Sequence, residues 1–134
     1  MYIVTGGAGF IGSALVRDLL SAGERVVVLD DFSTGRRENL AGLDAARLQI
    51  VETNVVDGLW AGMAQVDPAW GAPQAIVHLA AQVSVVASVA SPLEDVRRNY
   101  ATTMHVLEYA RRNGSPRVVF ASSAATYGNA DTIP

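Results

Sequence analysis

Five short apolar runs, alternating with residues of helical spacing, constrain this chain more than any other feature. The runs are "YIVT" (2–5), "RVVVLD" (25–30), "LQIVET" (48–53), "QAIVHLAA" (74–81) and "RVVFASS" (117–123). The second run is continuous in apolar residues, as a parallel strand buried on both faces should be. Strands that alternate with helices predict βαβ units. The expected fold class is α/β, a doubly wound parallel sheet in the order 3-2-1-4-5.

The intervening segments carry their own signals. Ile11, Leu15 and Leu19, flanked by Ala14 and Leu20, predict a first helix with that stripe inward, ended by Gly23. Residues 31–40 read as a loop with a brief helical turn, and 57–66 as a short helix. Ser91 as N-cap, Pro92 at the first helical position and Glu94 predict one helix over 92–112. Its apolar face reads as Val96, Tyr100, Thr103, Leu107 and Ala110. Arg111 and Arg112 suit the negative end of its dipole, and Gly114 stops it.

Composition narrows the function. The 134 residues suit one domain, 1–134, and at 50% hydrophobic and 17% charged they can bury a core. A net charge of −3 gives no basic field, so neither nucleic acid nor an anionic membrane is an expected partner. No apolar run reaches the length of a membrane span and no charged leader precedes the first strand, so a cytoplasmic setting is expected. Cysteine is absent, which excludes thiolate chemistry, and His78 and His105 have no metal-ligand spacing. All ten basic residues are arginine; there is no lysine.

"TGGAGFIG" (5–12) stands where the first strand hands over to the first helix. Gly6 suits a tight turn, Gly9 lets the backbone approach a bulky anion, and Gly12 lets the helix pack close to the strand. The free N–H groups and dipole of the helix start then hold a pyrophosphate. A tight βα turn without a ligand is the alternative. Asp30 argues against it, because it ends the second strand about twenty residues on, where a dinucleotide-binding chain needs an acid. Its carboxylate can accept from both ribose hydroxyls and would repel a 2′-phosphate, which favours NAD over NADP. Arg36 and Arg37 are counter-evidence, since guanidinium groups clamp phosphates. A solvated loop face is the preferred reading for them, and Asp31 serves equally as a chain turn.

The glycine pattern resembles that of the extended short-chain dehydrogenase/reductases. "VVVLDDFSTGRRENL", "HLAAQVSV", "SPLEDVRRNYATTMHVLEYAR" and "VVFASSAATYG" are similar, in order and spacing, to blocks of the NAD-dependent epimerase/dehydratase family. Its nucleotide-sugar 4-epimerases are nearest. The resemblance implies a Rossmann-like fold with NAD as cofactor. It implies that Gly6, Gly9, Phe10 and Ile11, with Gly12, line the pyrophosphate. Asp30, Asp31 and Phe32 would surround the adenosine ribose, with Ser33, Thr34 and Gly35 close by. Asn54 and Val55 would clasp the adenine; the family usually has Asp at the first position, and an ordinary polar strand end is the alternative. Leu79, Ala80 and Ala81 would lie against the cofactor, but Val83 stands where many of these epimerases have a cofactor-contacting lysine. Asn99 would either belong to the cofactor site or bond the neighbouring strand.

Ser122 and Ser123 end the fifth run, and the resemblance makes Ser123 the catalytic serine, donating to the sugar's 4-oxygen; a turn former is the alternative. Tyr127 would lie near the sugar or in the core. His78 reads as structural and His105 as a helix-surface residue. The implied activity is UDP-hexose 4-epimerisation by transient oxidation at C4, in a homodimer. The family's base is a tyrosine with a lysine four residues later. Here the tyrosines are Tyr2, Tyr100, Tyr109 and Tyr127, and no lysine can complete the pair. The expectation is therefore the N-terminal, dinucleotide-binding part of a longer enzyme, its sheet truncated after the fifth strand and inactive alone. The alternatives are a 4,6-dehydratase or NAD(P)-dependent reductase of the same superfamily, or a non-catalytic dinucleotide-sensing module.

Overall fold

The computed structural model describes residues 1–128, so the last six positions of the expected domain lie outside the described residues. Strands β1 (Tyr2–Thr5), β2 (Val26–Asp30), β3 (Leu48–Glu52), β4 (Ala75–His78) and β5 (Arg117–Phe120) form one parallel sheet, ordered β3-β2-β1-β4-β5. This is the expected α/β, Rossmann-like arrangement. Successive side chains feed opposite layers. Ile3, Val27, Leu29 and Ile76 point into one core layer; Val4, Val26, Val28 and Val77 point into the other. Each fully buried aliphatic side chain contributes about 1.5–3 kcal/mol.

The fourth and fifth strands end before their apolar runs do. β4 stops at His78 and β5 at Phe120, leaving 79–81 and 121–123 as loop. Just beyond β4, Leu79 N–H donates to both the carbonyl and Oγ1 of Thr5, at 3.1 and 3.2 Å, and Ala80 N–H donates to Thr5 Oγ1 at 3.2 Å, so a side chain takes over from the ladder.

Helix α1 (Phe10–Ser21) packs on the Val4–Val28 layer. Its buried line is Gly12, Val16 and Leu20. The expected stripe is thus rotated by one residue: Leu15 and Leu19 only flank the core, and Ile11 is 65% exposed. The glycine turn sets that rotation, because only a residue without Cβ fits where α1 meets β1. A Cβ on Gly12 would lie 2.2 Å from the Gly6 oxygen and 2.7 Å from Gly7 Cα.

The expected helix over 57–66 is a 3-10 turn (Val55–Asp57) and a short helix α2 (Leu59–Met63), separated by Gly58 at φ 110°. A helix α3 (Val85–Ala90) was not foreseen in a valine-rich stretch; Ser84 caps it by accepting from Ala87 N–H at 3.2 Å. The single helix expected over 92–112 is α4 (Pro92–Val96), a π turn (Arg97–Ala101) and α5 (Thr102–Arg112). Thr102 and Thr103 donate back to the carbonyls of Arg98 and Asn99 across that turn, at 2.6 and 2.8 Å. The buried face of α5 is Thr102, Val106, Tyr109 and Ala110, which shares only Ala110 with the expected line. Val96, Tyr100 and Leu107 face outward. The segment has two apolar faces, and the extra residue in the π turn helps decide which one meets the sheet.

Candidate functional site

The carboxyl ends of β1 and β4 lie side by side, where the chain order along the sheet reverses. Crevices at such switch points are where open α/β sheets take ligands. Here the glycine turn forms one wall. Gly6 has φ +69°, and a Cβ there would meet Ala80 N at 2.8 Å and Leu79 C at 2.9 Å. Gly6 is thus demanded twice, by its conformation and by the close approach of the β4 edge. Gly12 is demanded by helix packing. Gly9 differs. Its backbone is ordinary (φ −74°), and a Cβ would touch only the Gly6 oxygen, at 3.2 Å. Open space lies beyond it.

That space is faced by unspent donors. No side chain caps α1, no acidic residue occupies its first turn, and Ser13 N–H is the first to bond back within the helix, to Gly9 O at 3.0 Å. The amides of Phe10, Ile11 and Gly12 are therefore the open end of the twelve-residue helix, where its dipole favours an anion. The side chains of Phe10 and Ile11 stand outside the core.

Asp30 forms the next wall and holds the turn together. Its Oδ2 accepts from Ala8 N–H at 2.8 Å and its Oδ1 from Phe32 N–H at 2.9 Å. Each oxygen keeps a second lone pair for a ligand. Ala8 is a residue that sequence reasoning missed. It is fully buried, and its carbonyl accepts from Asn39 Nδ2 at 2.7 Å and Arg36 N–H at 3.1 Å. The loop after β2 is thereby laced onto the glycine turn, and Gly35 packs so near that a Cβ would lie 2.9 Å from both Ala8 Cβ and Asp30 Oδ1. Asp31 turns the chain, accepting from Ser33 N–H at 3.0 Å and from its hydroxyl at 2.6 Å. Phe32 sits at φ 55°, its ring 4.1 Å beneath the Arg37 guanidinium, which also pairs with Glu52. Ser33 and Thr34 are exposed.

Asn54 and Val55 sit beyond β3. Asn54 Oδ1 caps the 3-10 turn by accepting from Val56 N–H at 3.0 Å, and the Val55 side chain is in the core. Asn99 reaches from the π turn to the loop after β4, accepting from Gln82 N–H at 2.7 Å and donating to Gln82 O at 3.2 Å and Asp95 at 3.2 Å. Its amide thus fixes the loop after Ala81. Ala81 is exposed, while Leu79 and Ala80 are half-buried against Gly6.

The crevice floor is a buried pair that no motif announces. Thr5 Oγ1 lies 2.7 Å from His78 Nδ1. Because Thr5 already accepts two backbone N–H groups, its own proton goes to Nδ1, which places the ring proton on Nε2. Burial lowers the His78 pKa to about 4, so the ring is neutral at pH 7. His105 is half-buried, its Nδ1 3.4 Å from Val55 O.

Ser122, Ser123 and Tyr127 follow β5, all exposed. Ser123 Oγ accepts from Ala125 N–H at 3.2 Å and caps a 3-10 turn, Ala124–Tyr127. Ser122 Oγ lies 3.3 Å from Thr126 Oγ1. Among the described residues no cluster of acidic or histidine side chains could hold a metal, and no helix is long and apolar enough to cross a membrane.

A parallel sheet in this order, with a glycine turn opening onto an uncapped helix and an acid ending the neighbouring strand, defines a Rossmann-like α/β domain. More particularly, the chain belongs to the NAD dependent epimerase/dehydratase family, whose profile matches residues 2–134. It is 42% identical over 134 residues to a UDP-glucose 4-epimerase of Mycolicibacterium smegmatis, covering 98% of this chain and 42% of that protein. The structure is similar to UDP-N-acetylglucosamine 4-epimerase from Methanobrevibacter ruminantium, solved with UDP-N-acetylmuramic acid. The TM-score is 0.83 at 32% identity, over 99% of this chain and 41% of that one. The Thermus thermophilus UDP-glucose 4-epimerase complex with NAD gives a TM-score of 0.76 at 37% identity, over 91% of this chain and 37% of that one. The chain thus spans about two fifths of the length of such relatives.

Proposed function

We propose that residues 1–134 are the dinucleotide-binding part of a cytoplasmic, NAD-dependent nucleotide-sugar epimerase, with a UDP-hexose as substrate and C4 as the reacting carbon. The observation that carries this reading is Gly9: its backbone conformation does not demand glycine, a Cβ there would meet the Gly6 oxygen alone, in a tight contact at 3.2 Å, and the space beyond is bordered by the amides of Phe10, Ile11 and Gly12, which have no partner among the described residues. A pyrophosphate would take up those amide donors. The second lone pairs of Asp30 suit ribose hydroxyls, and Asp31, Phe32, Ser33, Thr34 and Gly35 border the same edge. Asn54 and Val55 would meet the adenine through their backbone, since their side chains are a cap and a core residue. Leu79, Ala80, Ala81 and Ser122 would face the nicotinamide half, with Asn99 fixing that loop.

NAD, when bound, supplies reversible hydride acceptance. In this reading the chain's own residues bind and orient. Ser123 offers its hydroxyl to the sugar's 4-oxygen, and Tyr127 stands beside the sugar. No lysine is present to lower a tyrosine's pKa, so the proton-abstracting pair must be supplied by other residues than these 134. The outward face of Val96, Tyr100 and Leu107 suits a second copy of the chain.

Calorimetric titration with NAD and NADP tests the cofactor reading. NAD should bind more tightly because a 2′-phosphate would face the Asp30 carboxylate; equal or tighter NADP binding refutes it. A Tyr-x-x-x-Lys encoded after codon 134 would support the enzymatic reading over a sensing module.

A further inference from the structure

Asp30, whose oxygens also hold the backbone at Ala8 and Phe32, is not the only charged group near the ribose edge. The loop that borders the same ribose edge carries two cations, Arg36 and Arg37, either of which would attract a 2′-phosphate. The structure treats them differently. Among the described residues Arg36 makes no ion pair. Arg37 is held from two sides: its guanidinium lies 4.1 Å over the Phe32 ring, and its Nη2 meets the Glu52 carboxylate. Glu52 ends β3 and is the register partner of Asp30 on β2, so the anchor stands one strand over from the ribose carboxylate. Phe32 is locked beneath by its unusual φ of 55° and by the bond from its N–H to Asp30.

We propose that Glu52 is a specificity-determining residue that acts through Arg37: by pinning the guanidinium over Phe32, it withdraws that cation from the 2′ position of the adenosine ribose and so disfavours a 2′-phosphorylated dinucleotide. This rests on the reading of the glycine turn as the NAD site. The pair is exposed, 60% on each side chain, so its hold is modest and its removal leaves the core untouched. Glu52→Gln keeps the shape and the Phe32 stack but frees the guanidinium to swing toward a phosphate.

The test is calorimetric titration of NAD and NADP into the 134-residue chain, its Glu52→Gln and Arg37→Met variants, and the double variant. Glu52→Gln should lower the NAD-to-NADP affinity ratio by about fivefold, the upper range for an exposed ion pair, mainly by tightening NADP. Glu52→Gln also deletes a negative charge, which alone would favour NADP; that part survives in the double variant. The proposal requires the rest of the gain, beyond that charge part, to vanish when Arg37 is removed as well, so that Glu52→Gln shifts the ratio clearly less on the Arg37→Met background than in the unaltered chain. An unchanged ratio in Glu52→Gln, or an equal shift on both backgrounds, overturns it. Equal weakening of both dinucleotides also overturns it, since that is what a merely structural role gives. If the unaltered chain binds neither dinucleotide, the NAD reading itself falls and takes this one with it. If it binds NAD normally, any failure belongs to Glu52 alone.

Discussion

Acid should unfold this protein through one histidine, His78. In the folded chain it is buried at the end of β4, its Nδ1 accepting the Thr5 proton, and burial lowers its pKa from 6.5 to about 4. The unfolded chain takes up a proton on this ring near pH 6.5; the folded chain does so only near pH 4. Between those values the unfolded state binds more protons, so stability falls as the pH falls. The complete loss is about 3 kcal/mol, and about 2 kcal/mol is already gone at pH 5. Against a total of about 5–15 kcal/mol for a domain, that is a large share.

Urea titration at pH 7 and pH 5 measures it. With a slope of about 2 kcal/mol per molar urea, the midpoint should drop by about 1 M. Carboxylate pairs do not confuse this window. Glu94, lowered first by its bond to Arg98, and Glu108, held at about 2 first by Arg111, lose their partners only below their ordinary value of 4.5. His78→Asn separates His78 from His105: its carbonyl oxygen can take the Thr5 proton in place of Nδ1, but it does not titrate. That variant should be less stable at pH 7, because it leaves a void, yet nearly flat between pH 6.5 and pH 5. An NMR titration placing the His78 pKa above 6, or an equal pH slope in the variant, would refute the reasoning.

Three further outcomes follow from the glycine turn and the sheet edge. Gly9→Val should abolish NAD binding with an unchanged circular dichroism spectrum, since φ −74° admits valine while its branches fill the anion space; near-normal affinity by calorimetry would make the turn purely structural. Gly12→Ala should instead destabilise the fold, by about 2 kcal/mol or more, because the new Cβ meets backbone at 2.2 Å and α1 must lift from β1; thermal melting measures it, and an unchanged midpoint would contradict the packing described. The 134 residues alone should show no epimerase turnover and should self-associate, because lysine is absent and β5 carries Val119 and Phe120 47% and 56% exposed at the end of the sheet. Size-exclusion chromatography showing a cooperatively melting monomer, or measurable 4-epimerisation of a UDP-hexose, would contradict this.

The sheet and its strand order were legible from residue sequence because the signal is local and repeated: five short, mainly apolar runs alternate with helical segments, and β2, buried on both faces, is a continuous one. The glycine turn was legible for the same reason, since its three glycines, the preceding strand and Asp30 lie in one short βαβ span. What sequence alone left open was rotation and partnership. Helix α1 turned its Gly12–Val16–Leu20 line inward rather than Ile11–Leu15–Leu19, because backbone contact at Gly6 fixes its rotation. The segment over 92–112 carries two apolar faces of similar strength, and the π turn with its Asn99 clamp bears on which one is buried. Asp30, read only as a ribose contact, is also the anchor of Ala8 and Phe32. Thr5 with His78, and Glu52 with Arg37, join residues on different elements. Hydrophobic periodicity records which residues are apolar; it carries no information about which distant polar atom lies within bonding distance. That was decided only when the carboxyl ends of the strands came together.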